Sequence, residues 1–209
     1  DNLNPFPEEL NRRLISQIAL LHFCPTKKAK LNLINEKIDG EIFITGNTVI
    51  DALFYLSKNS SLPKIDKLNW SSKKIILVTV HRRENWGENL VSISKGILSI
   101  SKRFEDINIV IPMHKNPLVR ETIISILSGY KNVFLTEPFD YGEFVAVMRE
   151  SELILSDSGG IQEEAPVLGK PVLVLRETTE RSEGIDAGTS KLVGTSSEKI
   201  LSEVTSLLC

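Results

Sequence analysis

From Ile75 onward, short apolar runs alternate with segments of helical spacing, and that alternation narrows the chain to one class of fold. The runs Ile75–Val80, Ile107–Ile111, Asn132–Thr136, Leu153–Ser156 and Pro171–Leu175, with a short one at Ser190–Val193, read as parallel strands buried on both faces. Helical patterns fall between them at Leu90–Phe104, Leu118–Leu127, Tyr141–Glu150 and Ile161–Leu168, and a last one runs Glu198–Leu208. Strand alternating with helix predicts an α/β fold, a doubly wound parallel sheet of Rossmann-like type. Such sheets bind ligands outside the carboxyl ends of their strands, and those positions hold His81, His114, Glu137 and Asp157.

The earlier part of the chain is less regular. Pro7 can start a helix with Glu8 and Glu9 in its first turn, and Leu10, Leu14, Ile18 and Leu21 continue at helical spacing. Thr26 suits the N-cap of a second helix running from Lys27 to about Asn35. Glu41–Thr45 reads as a short strand, and Gly46-Asn47 opens a helix through Val49, Leu53 and Leu56. Residues 57–72 turn polar and form the best linker, dividing the chain into 1–56 and 73–209.

Composition excludes several classes. The 25 Lys and Arg against 27 Asp and Glu leave a net charge of −2, with no general field for nucleic acid. No run approaches the roughly 18–20 apolar residues of a membrane span, and no signal-peptide pattern opens the chain. Cys24 and Cys209 cannot build a disulfide framework or a metal site, so a reducing cytoplasm is expected, with no metal and no cofactor.

Two segments carry chemistry. Ser156-Asp-Ser-Gly-Gly-Ile-Gln-Glu-Glu-Ala165 follows a strand and opens a helix. Ser158, Gly159 and Gly160 would present backbone N–H groups at the positive helix end, where missing Cβ atoms let a diphosphate approach. Glu164, about one turn further, could accept hydrogen bonds from ribose hydroxyls. The alternative is a glycine-rich turn capped by Ser158, with Glu163 and Glu164 merely solvated. His81-Arg-Arg-Glu-Asn85 places an imidazole, two guanidiniums and a carboxylate at a strand's carboxyl end, a set suited to acid/base work and phosphate binding or simply a charged loop. His114 occupies the same place after the next strand, and Arg181 in Thr178-Thr-Glu-Arg-Ser-Glu183 follows the strand ending at Leu175. His22 and Cys24 read as structural, and Glu8-Glu9 as first-turn helix carboxylates.

Taken together, these segments resemble the non-hydrolysing UDP-N-acetylglucosamine 2-epimerases. The resemblance rests on Pro-Phe-Pro-Glu-Glu-Leu-Asn-Arg near the start, Phe-Ile-Thr-Gly-Asn-Thr-Val-Ile-Asp-Ala-Leu at 43–53, His-Arg-Arg-Glu-Asn, Asp-Ser-Gly-Gly-Ile-Gln-Glu-Glu-Ala-Pro, Gly-Lys-Pro-Val-Leu and Thr-Thr-Glu-Arg, all in family order. It implies the two-domain fold shared with many glycosyltransferases, and epimerisation at C2 of UDP-GlcNAc to UDP-ManNAc by elimination and re-addition of UDP. Glu8 and His81 match catalytic positions, while Phe144, Ser158, Gly159, Gly160, Glu164 and Arg181 match nucleotide-sugar contacts. Arg82, Glu84 and His114 match contacts to a second, activating UDP-GlcNAc.

The family's Gly-Thr-Arg-Pro-Glu, Gly-Asp-Thr and His-Val-Glu-Ala-Gly motifs, and two further catalytic carboxylates, would lie before Asp1. The resemblance therefore implies a fragment: residues 1–56 as a remnant of the N-terminal domain, then a UDP-sugar domain, expected to be inactive alone. A homodimer is implied for the complete enzyme, or a separate chain supplying the missing half. Ser182 stands where the family has Pro, and Phe139 replaces a more polar residue. A UDP-sugar glycosyltransferase donor domain and a non-catalytic nucleotide-sugar-binding module are the alternative readings.

Overall fold

The structure is a computed structural model that describes residues 7–208. The chain divides into two compact units, one up to Ala52 and one from Leu53. In the first, α1 (Glu8–Ser16), β1 (Leu21–Cys24), α2 (Lys27–Asn35) and β2 (Glu41–Ile44) lead into α3 (Val49–Asn59), which runs across the division. Thr26 caps α2 by accepting from the Ala29 amide at 3.1 Å. The two strands pair in parallel, Leu21 opposite Glu41.

Strand β1 corrects the expectation of one long first helix. The helix stops at Ser16, and Leu14, Ile15 and Ile18 stay exposed, so the spacing carried to Leu21 was not a buried helical stripe. Pairing decides the matter: the Leu20 carbonyl accepts from the Glu41 amide at 2.9 Å. Gly40 makes that approach possible, because at φ 103° a Cβ there would sit 2.7 Å from the same carbonyl. His22 and Cys24, the inward residues of β1, are buried, and His22 Nε2 lies 3.1 Å from the Asp39 carbonyl.

The second unit follows the alternation seen in the sequence. Its elements are β3 (Lys74–Thr79), a 3-10 turn (Arg83–Asn85), α4 (Glu88–Arg103), β4 (Ile107–Pro112), α5 (Pro117–Leu127), β5 (Val133–Thr136), α6 (Tyr141–Glu150), β6 (Leu153–Ser156), α7 (Gly159–Val167), β7 (Val172–Val174), α8 (Ser182–Asp186), β8 (Ser190–Leu192) and α9 (Ser197–Leu208). All six strands are parallel, in the order β5-β4-β3-β6-β7-β8. The order turns back between β3 and β6, which makes their carboxyl ends the switch point where doubly wound sheets hold ligands.

Period-2 alternation sends Ile76, Val78, Ile109, Ile111 and Leu155 into one core with Leu90, Ile93 and Ile97 of α4, Ile123 of α5 and Ile200 of α9. Their neighbours Ile75, Leu77, Val110 and Ile154 are equally buried on the other face, and α6 packs against β3 there. At roughly 1.5–3 kcal/mol per fully buried aliphatic side chain, this two-faced burial is the main force holding the sheet.

The polar stretch from Ser57 begins inside α3 rather than after it. It belongs to the second unit, where Pro63 is buried and its carbonyl accepts from Trp70 Nε1, and Arg149 donates to the Ser57 carbonyl. No described helix is long and apolar enough to cross a membrane.

Candidate functional site at the sheet switch point

Strands β3 and β6 run in register to their carboxyl ends, where Thr79 pairs with Ser156 and their hydroxyls lie 2.7 Å apart. The residues just beyond, separated by more than seventy positions in the chain, meet around Asp157. This carboxylate is wholly buried. It accepts from the backbone amides of His81 (3.1 Å) and Arg82 (2.9 Å) and from Asn85 Nδ2 (2.9 Å). His81 Nδ1 lies 3.2 Å from Asp157 Oδ1, which places the neutral ring's proton on Nδ1 and leaves Nε2 for chemistry. Asn85 Nδ2 also donates to the Leu175 carbonyl, so the loop after β3 is fastened to β6 and β7 together.

His81 opens on a cavity of about 420 Å³. Phe139, Tyr141, Phe144, Met113 and Ile161 line it together with Ser158 and Glu164. His114 belongs to the same wall, its ring stacked at 6.1 Å from that of His81. A larger groove, about 980 Å³, runs along edge strand β5; of the residues expected at the ligand edge it takes in Glu137 but neither histidine nor the glycine turn.

Helix α7 begins at Gly159, two residues before the expected start, so both glycines belong to its first turn. Ser158 is its N-cap by position, yet its side chain makes no capping bond, contrary to the structural alternative for this turn. A Cβ on Gly159 would lie 3.2 Å from Glu180 Oε1 and 3.3 Å from Arg82 Nη2. The α7 N-terminus therefore sits beside an ion-pair cluster of arginines and glutamates.

Three guanidiniums converge there on one carboxylate. Glu180 pairs with Arg176 at 2.8 Å, with Arg181 at 3.4 Å and with Arg82 at 3.6 Å. Burial would raise the Glu180 carboxyl, but its own backbone amide and Arg176, with the charge of Arg181, outweigh that and hold it below the usual carboxylate range. Glu84 is taken up by the buried Arg176 at 2.7 Å, and Arg181 also pairs with Glu163. On the opposite side of the first turn, burial pushes the Glu164 carboxyl above its usual range, aided by the charge of Glu163 and opposed by a hydrogen bond from Tyr141.

The structure thus brings His81, Arg82, His114, Phe144, Ser158, Gly159, Gly160, Glu164 and Arg181 to one edge of one sheet, with Glu84 behind them. Glu8 lies in the first unit, exposed in the opening turn of α1. Its neighbour Glu9 is committed to structure: Arg12 first and Arg13 second hold its carboxyl down at about 2.

A family model described as UDP-N-acetylglucosamine 2-epimerase matches residues 1–209. The chain belongs to the UDP-N-acetylglucosamine 2-epimerase family. The Escherichia coli K12 UDP-N-acetylglucosamine 2-epimerase is 48% identical over 219 residues, covering 100% of this chain and 58% of its own length. The Neisseria meningitidis UDP-GlcNAc 2-epimerase, solved bound to UDP-GlcNAc, superposes with a TM-score of 0.87 at 46% identity, covering 98% of this chain and 57% of that one. The Methanocaldococcus jannaschii UDP-GlcNAc 2-epimerase, solved with UDP-GlcNAc and UDP, gives a TM-score of 0.80 at 34% identity, with coverages of 97% and 58%. The chain spans a little over half the length of these relatives.

Within this member of the family, the sequence did not single out Asp157, Asn85, Tyr141, Arg176 or Glu180 for a role. In the sequence Asp157 is marked only as a residue beyond a strand end, with no partner named. The others act through partners that only the strand order supplies.

Proposed function

We propose that the second unit binds the nucleotide part of a UDP-sugar, and that in a complete enzyme it serves C2 epimerisation of UDP-GlcNAc to UDP-ManNAc through elimination and re-addition of UDP. The observation that carries this reading is the single edge at the switch point. The aromatic lining of Phe139, Tyr141 and Phe144 suits a flat base, the glycine turn of α7 with Arg82 and Arg181 suits a diphosphate, and Glu164 reaches both Tyr141 and the Gly160 position. Relatives solved with UDP-GlcNAc have the same fold.

In this mechanism His81 faces the bond that breaks. Held by Asp157, the ring when protonated on both nitrogens can give its Nε2 proton to the departing diphosphate or stabilise its charge, and take the proton back on re-addition. Inversion at C2 requires a proton removed from one face and returned to the other. A single carboxylate at its reference pKa of about 4.3 is a weak base for that step, so several carboxylates must share it. We assign Glu8 to that set. Arg82, Glu84 and His114 are assigned to a second, activating UDP-GlcNAc, and a cytoplasmic location and a homodimer of the complete enzyme go with this reading.

Isothermal calorimetry tests the binding half: UDP should bind the chain measurably but weakly. Incubation with UDP-GlcNAc in deuterated water, following exchange at C2, tests the chemistry: the isolated chain should show no turnover. Absence of UDP binding refutes the first statement, and robust epimerisation by the chain alone refutes the second.

A further inference from the structure

Tyr141 stands at the first position of α6, and its hydroxyl donates to Glu164 Oε2 at 2.7 Å, joining α6 to α7 across the rim of the cavity. We infer that Tyr141 is a positioning residue that pins Glu164 for a ribose diol and so makes the site select ribonucleotides over deoxyribonucleotides, an inference that rests on the UDP-sugar reading above.

Three facts support it. Glu164 is a flexible side chain one turn beyond Gly160, and its other oxygen, Oε1, lies only 3.3 Å from where a Cβ on Gly160 would be. Without a partner on Oε2 the side chain could rotate out of this position. The bond from Tyr141 stops that rotation and occupies Oε2, leaving the lone pairs of Oε1 to accept from ligand hydroxyls.

The second fact concerns energy. Glu164 is already partly desolvated, so the carboxylate form needs donors; Tyr141 supplies one and a ribose hydroxyl would supply another. A deoxyribose leaves that acceptor unpaired, and sites built to bond a hydroxyl reject analogues lacking it far more strongly than sites that merely pack against it. The third is pre-organisation: a carboxylate fixed before binding loses less conformational freedom when the ligand arrives.

The test compares UDP with 2′,3′-dideoxy-UDP by calorimetry on the wild-type chain, Tyr141→Phe, Glu164→Gln and the double variant. Phenylalanine keeps the ring in the slot and removes only the donor. Tyr141→Phe should weaken UDP about tenfold, the scale of one hydrogen bond to a charged group, and weaken the dideoxy nucleotide by less than about twofold. In the Glu164→Gln background the same change should cost UDP less than about twofold, because the group it positions is gone. Equal losses on both nucleotides, or full additivity in the double variant, would show that Tyr141 only packs against the base and would overturn the inference. Where Glu164→Gln binds too weakly to titrate, the ratio between the two nucleotides decides alone. Wild-type protein that fails to bind UDP overturns the nucleotide reading and the ribose role with it, a result distinct from any pattern among the variants.

Discussion

Replacing Asp157 by alanine should destabilise the second unit far more than an ordinary single substitution. The side chain is wholly buried and accepts from the His81 and Arg82 amides and from Asn85 Nδ2. Truncation leaves these donors facing a small polar void. Asn85, only 2% exposed, keeps its bond to the Leu175 carbonyl but loses its other acceptor. The two backbone amides belong to half-buried residues, so water entering from the His81 side can recover part of their loss. Counting roughly 1–3 kcal/mol for each unsatisfied buried donor and discounting the two that water can reach gives about 3–5 kcal/mol. At about 2–4 °C per kcal/mol for a domain of this size, the midpoint should fall by about 6–20 °C. Tryptophan fluorescence during urea unfolding is a suitable assay. Trp70 and Trp86 both lie in the second unit, and Trp86 packs on the core with Nε1 3.4 Å from the His81 carbonyl. Asp157→Asn keeps the shape and one acceptor but turns an amide toward donors, so its loss should be intermediate, about 2 kcal/mol. A loss below about 1 kcal/mol for Asp157→Ala, within reach of a surface substitution, would refute the assignment of Asp157 as the clasp of the site.

Further outcomes follow from the same geometry. Gly160→Val should abolish UDP binding while leaving circular dichroism unchanged, since the atoms its Cβ meets are side-chain ends and not backbone, Glu164 Oε1 at 3.3 Å and Ser158 Oγ at 3.9 Å; unchanged UDP affinity would make the turn mere punctuation. UDP binding should weaken on acidification from above the usual carboxylate range, because Glu164, raised by burial, loses its acceptor form as pH falls through its pKa; calorimetry against Glu164→Gln isolates that component, and identical pH profiles would refute it. The same raised pKa means the folded protein holds this proton more tightly than the unfolded chain, so Glu164 favours folding at low pH and that contribution is lost as pH rises through its folded value. In an enzyme completed with the missing half, Glu8→Gln and His81→Asn should each lower turnover by about two orders of magnitude, with UDP affinity little changed for Glu8→Gln; wild-type rates would return Glu8 to the role of a helix carboxylate.

Much of the fold was legible because a parallel sheet buried on both faces must write its strands as nearly unbroken apolar runs, as in Ile75–Val80 and Leu153–Ser156. Strand β1 was not legible. Leu21-His-Phe-Cys24 is four residues long and prolongs the spacing of Leu10, Leu14 and Ile18, so the helical period masked it until β2 supplied a partner. The start of α7 was placed two residues late because glycine is a poor helix former, although here the first turn needs its open backbone.

The candidate site divides along a similar line. Gly159, Gly160 and His81 could be picked out because each sits where a strand ends or a helix begins, and Glu164 because it follows one turn later; such places are visible locally. Asp157 and Tyr141 could not be given their roles, since neither acts on its own surroundings in the sequence. Asp157 holds His81 only because β3 and β6 are neighbours, with Thr79 opposite Ser156. Tyr141 reaches Glu164 only because α6 and α7 flank the same edge. In a sheet of this order the two strands at the switch point are adjacent although three α-helices and two strands intervene in the chain. The groups that orient chemistry at such a site are therefore distant in sequence from the groups they orient. A residue such as Asp157, inert by its own motif, thereby ties the His81 imidazole to the start of the glycine turn.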